Sequence, residues 1–302
     1  MSEQFRTDFI QRIESLDPKT GEGTISLEPD PRRYIKLEDD TGIFYIDKYL
    51  KVRFSLDDLF RHFQGSVPIY ALAPSVKSVR QYAQSRTKAL NHEFLSGKYT
   101  APKEAAKRQP SLIETNKSTD LGFLSLDICG STTLRRIDPV AFDKAFGVLI
   151  RELGSLVGHF NGSILKTTGD GFVAYIDHPS YTNLCDSLVE LGLSCLNLMK
   201  CSINPALKKH GLPEFNVRIG ANHGSAVVRK VAIPTTGFSS IDIYSDAFNR
   251  AKKIEESCDQ NEFRIGFDLY KLIHVQWLER CVEVTSLEAG SLCEKDRVFI
   301  VS

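Results

Sequence analysis

The order of hydrophobic patterns between residues 121 and 257 constrains the fold of this 302-residue chain more than any other feature. Residues 123–128 form an apolar run typical of a buried strand, and residues 139–160 then repeat apolar side chains at helical spacing. The turn at 168–171 lies between two short apolar runs, which predicts a β-hairpin. A second apolar-faced helix is predicted over residues 181–200.

The patterns after this helix complete a β-α-β-β-α-β order. The alternation of residues 215–219 predicts a strand that resumes over 226–231 after a turn at His223 and Gly224. A further helix is predicted over residues 246–257. This order predicts an α+β fold with a ferredoxin-like βαββαβ core, in which helices pack on a sheet.

The chain before this core has a different character. Residues 1–76 contain short strand-like runs, at 34–37 and 43–46, between turn signals, and form an N-terminal region of unknown role. Residues 77–118 are basic, with nine Lys or Arg against three Asp or Glu through residue 117. We predict a solvated connector there, partly helical and partly a linker, in preference to a nucleotide-attracting surface. The third segment, residues 119–302, contains the predicted α+β core.

Composition excludes several classes of protein. The 38 basic and 38 acidic residues balance, whereas a general nucleic-acid binder needs surplus Lys and Arg. No apolar run approaches the ~20 residues of a membrane helix, and the mixed charges of MSEQFRTDFIQR are unlike a signal peptide. Seven cysteines without a CxxC pair favour reduced thiols in a cytoplasmic protein over disulfides or a zinc site.

Two aspartates carry the main chemical signal. Asp127 ends the first core strand, and Asp170 lies in the hairpin turn. If these strands are neighbours, the two carboxylates meet at one end of the sheet, and an oxygen-only ligand set favours Mg²⁺ or Mn²⁺ over zinc. The small residues Gly130, Ser131 and Thr132 follow and leave backbone N–H groups open to a phosphate.

Four separated segments resemble the class III nucleotide cyclases, over residues 121–302: FLSLDICGST, GSILKTTGDGFVAY, NVRIGANHG and DIYSDAFNRAKKIEE. The resemblance implies a class III cyclase catalytic domain at 119–302. Such a domain converts a nucleoside triphosphate into the 3′,5′-cyclic monophosphate and pyrophosphate, with two Mg²⁺ or Mn²⁺ ions per site. Because one chain carries both halves of the site, the resemblance implies a homodimer with two composite sites.

The resemblance also implies a role for each matched residue. Asp127, Ile128 and Asp170 match the metal site. Lys166 and Asp242 match the base-recognising pair. Asn249 matches the residue that orients the ribose, and Lys253 stands at the position of the residue that stabilises the transition state. Gly130, Ser131 and Thr132 match the phosphate-binding segment. The i, i+4 spacing of Asn249 and Lys253 independently places both side chains on one helix face.

Four residues depart from the family pattern, and one of them is Asn161, which stands where a paired glycine is common. Lys253 stands where an arginine is usual, and it offers a point charge in place of a planar fork. Ser245 replaces a glycine, and Phe248 replaces a smaller valine beside the base. The phenyl group favours a pyrimidine, as in Pycsar-type antiphage cyclases, whereas the Lys166/Asp242 pair is the family's signature for adenine. UTP or CTP and ATP are therefore equally favoured, and GTP less.

Other functions are also compatible with parts of the sequence. The main alternative is a cyclase-like dimerisation module that is inactive because of Lys253. A diguanylate cyclase is disfavoured because no GGDEF-like run is present. His159 and His223 are possible acid–base groups, but we predict structural roles for both.

Overall fold

The computed structural model describes residues 4, 6–20, 22–40, 42–60, 76–103, 109, 113–115, 117–284 and 297–302. Most of the predicted linker, residues 104–108 and 110–112, lies outside the described residues.

The described part of the N-terminal region contains five strands. Strand β1 (Phe9–Leu16) pairs antiparallel with β2 (Gly23–Pro29). A second antiparallel sheet contains β3 (Tyr34–Asp39), β4 (Gly42–Asp47) and β5 (Arg53–Ser55), and the short helix α1 (Leu56–Phe60) follows. The strands predicted at 34–37 and 43–46 are confirmed.

A buried ion network attaches this region to the rest of the chain. Arg33 is completely buried, with Nη1 2.9 Å from Asp8 Oδ2 and Nε 2.7 Å from Asp47 Oδ2. Val275 N also donates to Asp8 Oδ2, at 3.0 Å, and Arg6 Nε binds the other oxygen, Oδ1, at 2.8 Å. Arg6 adds an ion pair of 3.0 Å with Asp186. Burial by itself would raise the pKa of Asp8, but the two arginines outweigh it and lower that pKa.

Replacing Arg33 by alanine should lower the free energy of unfolding by about 3–5 kcal/mol, because Asp47 would lose its buried counter-charge and Asp8 would keep only Arg6. Urea denaturation measures the change. Arg12→Ala is the matched control, since Arg12 and Glu28 form a pair of 3.7 Å in which both side chains are more than 60% exposed. That variant should lose less than about 1 kcal/mol. Equal losses in the two variants would contradict the structural role of the network.

The basic segment forms helix α2 (Val79–Ser96), as its spacing predicts. The prediction of a solvated connector is wrong for this helix, because Tyr82, Ala83 and Leu90 are buried in the main hydrophobic core. Arg86 is also buried, and its guanidinium binds both oxygens of Glu152, at 2.6 and 2.8 Å. The positive charge of Arg86 is therefore neutralised by Glu152 inside the protein.

The remainder of the chain contains eight strands and seven α-helices within the described ranges. In chain order these are β6 (Ser118–Ile128), α3 (Ser131–Ile137), α4 (Pro139–His159), β7 (Gly162–Thr167), β8 (Gly171–Ile176), α5 (Tyr181–Leu198), α6 (Asn204–Lys209), β9 (Val217–Ile233), β10 (Phe238–Tyr244), α7 (Asp246–Glu256), β11 (Glu262–Gly266), α8 (Phe267–Tyr270), α9 (Val275–Leu278), β12 (Cys281–Glu283) and β13 (Val298–Val301). A π-helical turn, Met199–Ile203, joins α5 to α6.

These strands form one sheet in the order β12-β13-β11-β9-β6-β8-β7, with β10 paired to β9. Four antiparallel strands, β9-β6-β8-β7, together with α4 and α5 form the predicted ferredoxin-like core. Alternate residues of β6 face opposite sides: Leu124 and Leu126 pack in the core with α4 and α5, whereas Leu121 and Phe123 pack with α7. Asp127 is in phase with the second set. No helix of the described ranges is long and apolar enough to cross a membrane.

The predicted turn at His223 and Gly224 is wrong. Strand β9 is continuous through both residues, because His223 pairs with Gly122 and Gly224 with Leu121 of β6. Farther on, β9 pairs with β10 from Val227 onward. At His223 and Gly224 the pairing with β6 outweighs the local turn preference of glycine.

Candidate active site

The two aspartates predicted to bind metal lie side by side at one end of the sheet. Asp127 is opposite Gly171 in the β6–β8 pairing, and Ile128 N donates to the Asp170 carbonyl oxygen at 3.2 Å. A side chain at Gly171 would collide with the carbonyl oxygen of Leu126. Glycine at this position therefore lets the hairpin turn approach β6 and brings Asp170 beside Asp127.

The electrostatics of this pair are unusual. The pKa of Asp127 is raised to about 6: burial is the largest cause, the neighbouring carboxylates of Asp170 and Glu255 act in the same direction, and the hydrogen bond from Arg218 opposes them. Only 7% of the Asp127 surface is exposed. The site therefore has more negative charge than its surroundings neutralise, and a bound cation would be favourable.

Arg218 is a site residue that the sequence analysis missed. It is opposite Asp127 in the β6–β9 pairing, and its Nη2 atom lies 2.6 Å from Asp127 Oδ2 and 3.5 Å from Glu255 Oε1. Glu255 is completely buried and also binds Lys252 Nζ at 2.5 Å. The alternation of residues in NVRIG could have identified it. Val217 and Ile219 face the core, so Arg218 faces the opposite side of the sheet, where Asp127 lies.

The segment after β6 lies against the same aspartates. Gly130 has a left-handed backbone, with φ of 68°, and precedes α3. The Ser131 hydroxyl donates to Asp170 Oδ2 at 2.5 Å, whereas Thr132 is exposed. We define Asp127, Asp170, Ser131 and Arg218 as the acidic cluster.

The residues predicted to bind the base lie elsewhere. Lys166 Nζ is 4.8 Å from the ring centroid of Phe248, a cation–π geometry, and the Phe248 ring meets Phe123 edge to face at 5.9 Å. Asp242 is exposed on β10, where its Oδ1 accepts from Ile243 N at 2.8 Å. No hydrogen bond or ion pair joins Asp242 to Lys166 in the described part of the chain.

Helix α7 presents Asn249 and Lys253 on one exposed face, as their spacing predicts. Ser245, at the position of the usual glycine, caps the helix: its hydroxyl accepts from Ala247 N at 3.1 Å and donates to Ser225 O at 2.8 Å. The helix lies close to β9, because a side chain at Gly220 would collide with the α7 backbone.

A sequence model of the adenylate and guanylate cyclase catalytic domain matches residues 113–296, more than half of the chain. The chain belongs to the adenylate and guanylate cyclase family. No curated protein matches this cyclase at a significant level.

Solved cyclase structures share the fold. The adenylyl cyclase CyaB from P. aeruginosa is 18% identical, with a TM-score of 0.54 over 62% of this chain and 95% of that one. The catalytic core of a rhodopsin-guanylyl cyclase with converted specificity, in complex with ATPαS, is 17% identical, with a TM-score of 0.51 over 62% and 97% of the two chains. At these identities the similarity concerns the fold alone.

In this cyclase the candidate residues form two separate groups. The first is the acidic cluster, and the second comprises Lys166, Phe248 and the exposed face of α7. Within the described ranges, no hydrogen bond or ion pair joins Asn249, Lys253 or Lys166 to Asp127 or Asp170. The two groups of candidate residues are therefore not in direct polar contact through these side chains.

The acidic cluster has the chemistry of a divalent-cation site. Its carboxylates touch, the pKa of Asp127 is raised, and every donor that can bind a metal is an oxygen. In the described part of the chain, no group of three or more His, Cys, Asp or Glu side chains is arranged for a metal. The ligand set of a cation here would thus need the Ile128 carbonyl, phosphate oxygens or water in addition to the two aspartates.

The two histidines considered earlier are buried. His159 packs against Tyr82, with ring centroids 5.3 Å apart. His223 lies within β9, where burial lowers its pKa. Neither side chain is exposed to a substrate.

Proposed function

We propose that this protein converts a nucleoside triphosphate into its 3′,5′-cyclic monophosphate and pyrophosphate, as a homodimer with two composite sites. The observation that carries the proposal is the separation of the two half-sites. Asp127 and Asp170 touch each other, while Asn249 and Lys253 of the same chain face solvent. A second copy related by a two-fold axis would bring its α7 to the first copy's acidic cluster. We assign this catalytic domain to residues 119–302.

In each composite site, Asp127, Asp170 and the carbonyl of Ile128 would hold Mg²⁺ or Mn²⁺. Two bound ions would supply a lowered pKa for the ribose 3′-hydroxyl and neutralisation of the triphosphate. Asn249 would orient the ribose, and Lys253 would stabilise charge on the phosphate oxygens. Gly130, Ser131 and Thr132 would border the phosphates. In the metal-free chain, Arg218 balances part of the charge of Asp127.

We propose a pyrimidine nucleotide, UTP or CTP, as the substrate, and a cyclic pyrimidine second messenger of the antiphage type as the product. The support is the position of Phe248: its ring lies 4.8 Å from the ammonium of Lys166, where it would narrow a base pocket formed beside that lysine. A lysine donor serves a carbonyl of uracil or cytosine as well as a ring nitrogen of adenine. ATP is the second candidate, because the Lys166/Asp242 pair is the family's signature for adenine. Asp242 is exposed on β10.

The direct test is incubation with each of the four ribonucleoside triphosphates and Mn²⁺ or Mg²⁺, with products identified by mass spectrometry. A cyclic pyrimidine nucleotide is the expected product, and cyclic AMP would support the second candidate. No cyclic product from any nucleotide at high protein concentration would favour the inactive dimerisation module.

Replacing Phe248 by valine should raise the activity on ATP relative to that on the pyrimidine, because the barrier to the larger ring is removed. The expected change in relative kcat/KM corresponds to about 1–3 kcal/mol. Competition assays with mixed nucleotides measure the ratio. Phe123→Leu is the control, since it alters the same aromatic pair and leaves the Lys166 contact in place. A lower melting temperature with an unchanged product ratio would mean that Phe248 serves only the core.

A further inference from the structure

A second cation lies beside Lys253 on helix α7. Arg250 and Lys253 line a cavity of about 160 Å³ between α7 and the ends of β11 and β13. Its polar lining comprises Asn222, Arg250, Lys253, Ser257 and Arg297. Because residues three and four apart are neighbours on a helix surface, Arg250, Lys253 and Ser257 form one continuous strip next to Asn249.

The wall of the cavity contains a buried polar side chain without hydrogen-bond partners among the described residues. Asn222 is 1% exposed, and neither its amide nitrogen nor its amide oxygen has a hydrogen-bond partner among the described residues. Its side chain reaches the cavity beside Gly266, where an added Cβ would lie 2.7 Å from Asn222 Oδ1. Leaving a buried amide without partners is unfavourable, so this wall is suited to a ligand with oxygen acceptors.

The charge around the cavity points to an anion. Arg297 is held by Glu283, at 2.6 and 2.8 Å, so its charge is compensated locally. Lys253 forms no ion pair within the described ranges. The cation at 253 is a lysine, which cannot grip a phosphate with two parallel hydrogen bonds, whereas the guanidinium of Arg250 can.

We propose that Arg250 is a catalytic residue of the cyclisation and supplies the guanidinium that the chain lacks at position 253. The inference rests on the proposed function. As the ribose 3′-oxygen bonds to the α-phosphorus and loses its proton to solvent, the bond from that phosphorus to the bridging oxygen breaks. The bonding electron pair leaves with pyrophosphate. Arg250 binds the oxygens that gain this charge, and Lys253 adds a second positive charge.

The test separates turnover from binding. Arg250→Ala should lower kcat about 100-fold on the nucleotide that the wild type cyclises, because the contact is made with charge that develops during the reaction. The dissociation constant of the 3′-deoxy form of that nucleotide, which cannot cyclise, should change less than about threefold. Arg250→Lys should recover little activity. Lys208→Ala, which removes an exposed cation on α6, should match the wild type in both measurements.

A double variant makes the test specific. Lys253→Arg in the Arg250→Ala background should restore at least about tenfold in kcat, because it returns a guanidinium to the same strip. Melting temperatures verify that each variant is folded. The proposal is overturned if Arg250→Ala keeps kcat within threefold, if only binding weakens, or if Lys253→Arg restores nothing. A wild type that forms no cyclic nucleotide would instead refute the proposed function, and the inference with it.

Discussion

Replacing Asp127 by asparagine should reduce cyclic-nucleotide formation by roughly a thousandfold, and Asp170→Asn should do the same. Each substitution keeps the size of the side chain and removes one carboxylate from the acidic cluster, so the cation loses a charged ligand and the triphosphate keeps its unshielded charge. Product formation by mass spectrometry measures the loss. Asp259→Asn is the matched control, since that carboxylate is 91% exposed, and it should keep full activity.

The Asp127→Asn substitution should not unfold the protein. The folded chain raises the pKa of Asp127 from 3.8 to about 6, mainly by burial. As pH rises through that window, the unfolded chain releases the proton more readily than the folded one, so the metal-free protein loses stability and stays less stable above it. Asparagine removes this penalty.

At pH 8 with a chelator, Asp127→Asn should therefore melt at the wild-type temperature or above it, and at pH 4 the difference should shrink. A variant that melts far lower at pH 8 would show that the ion pair with Arg218 outweighs the cost of burial. Near-full turnover of either variant would contradict the metal assignment.

Mixed dimers should show activity that neither parent has. One parent carries Asp127→Asn, and the other carries Asn249→Ala with Lys253→Ala, so both sites of each homodimer are damaged. In the mixed dimer one composite site collects all three substitutions and the other is intact. Heterodimers purified through two different affinity tags should therefore have about half of the wild-type activity, if the two sites act independently.

The matched control places the same three substitutions in one chain and pairs it with a wild-type chain. Both composite sites of that dimer then contain a damaged half, so it should be nearly inactive. Sites built within single chains would reverse the result: the first mixed dimer would be inactive and the control half active. The two preparations contain the same substitutions, so differences in expression or stability do not explain opposite activities.

Much of the catalytic fold was predictable from local patterns. The hairpin β7–β8 and the helices α5 and α7 follow from turn residues and from the period of their apolar side chains, which act within a few residues. The predicted turn at His223 and Gly224 failed because the pairing of β9 with β6 decides that segment. Local propensity is a weak influence where a residue is paired in the middle of a long strand.

The candidate site likewise contains residues that the sequence identifies and residues that only the structure reveals. The positions of Asp127, Asp170, Asn249 and Lys253 follow from the motifs that resemble class III cyclases. The role of Arg218 does not, because its partner Asp127 lies 91 residues away along the chain. Phe248 could be singled out by its size, but only the structure locates its ring under Lys166 and against Phe123.

The sequence by itself determined the order of the core elements, the residue types of the candidate site and their place on strand ends and on one helix face, because these depend on local periodicity. The tertiary structure alone decided which charges are buried together. Arg33 with Asp8 and Asp47, Arg86 with Glu152, and Arg218 with Asp127 and Glu255 are pairs that only the folded chain brings into contact. A buried charge is stable only beside its counter-charge, and that partner is chosen by the packing of distant segments.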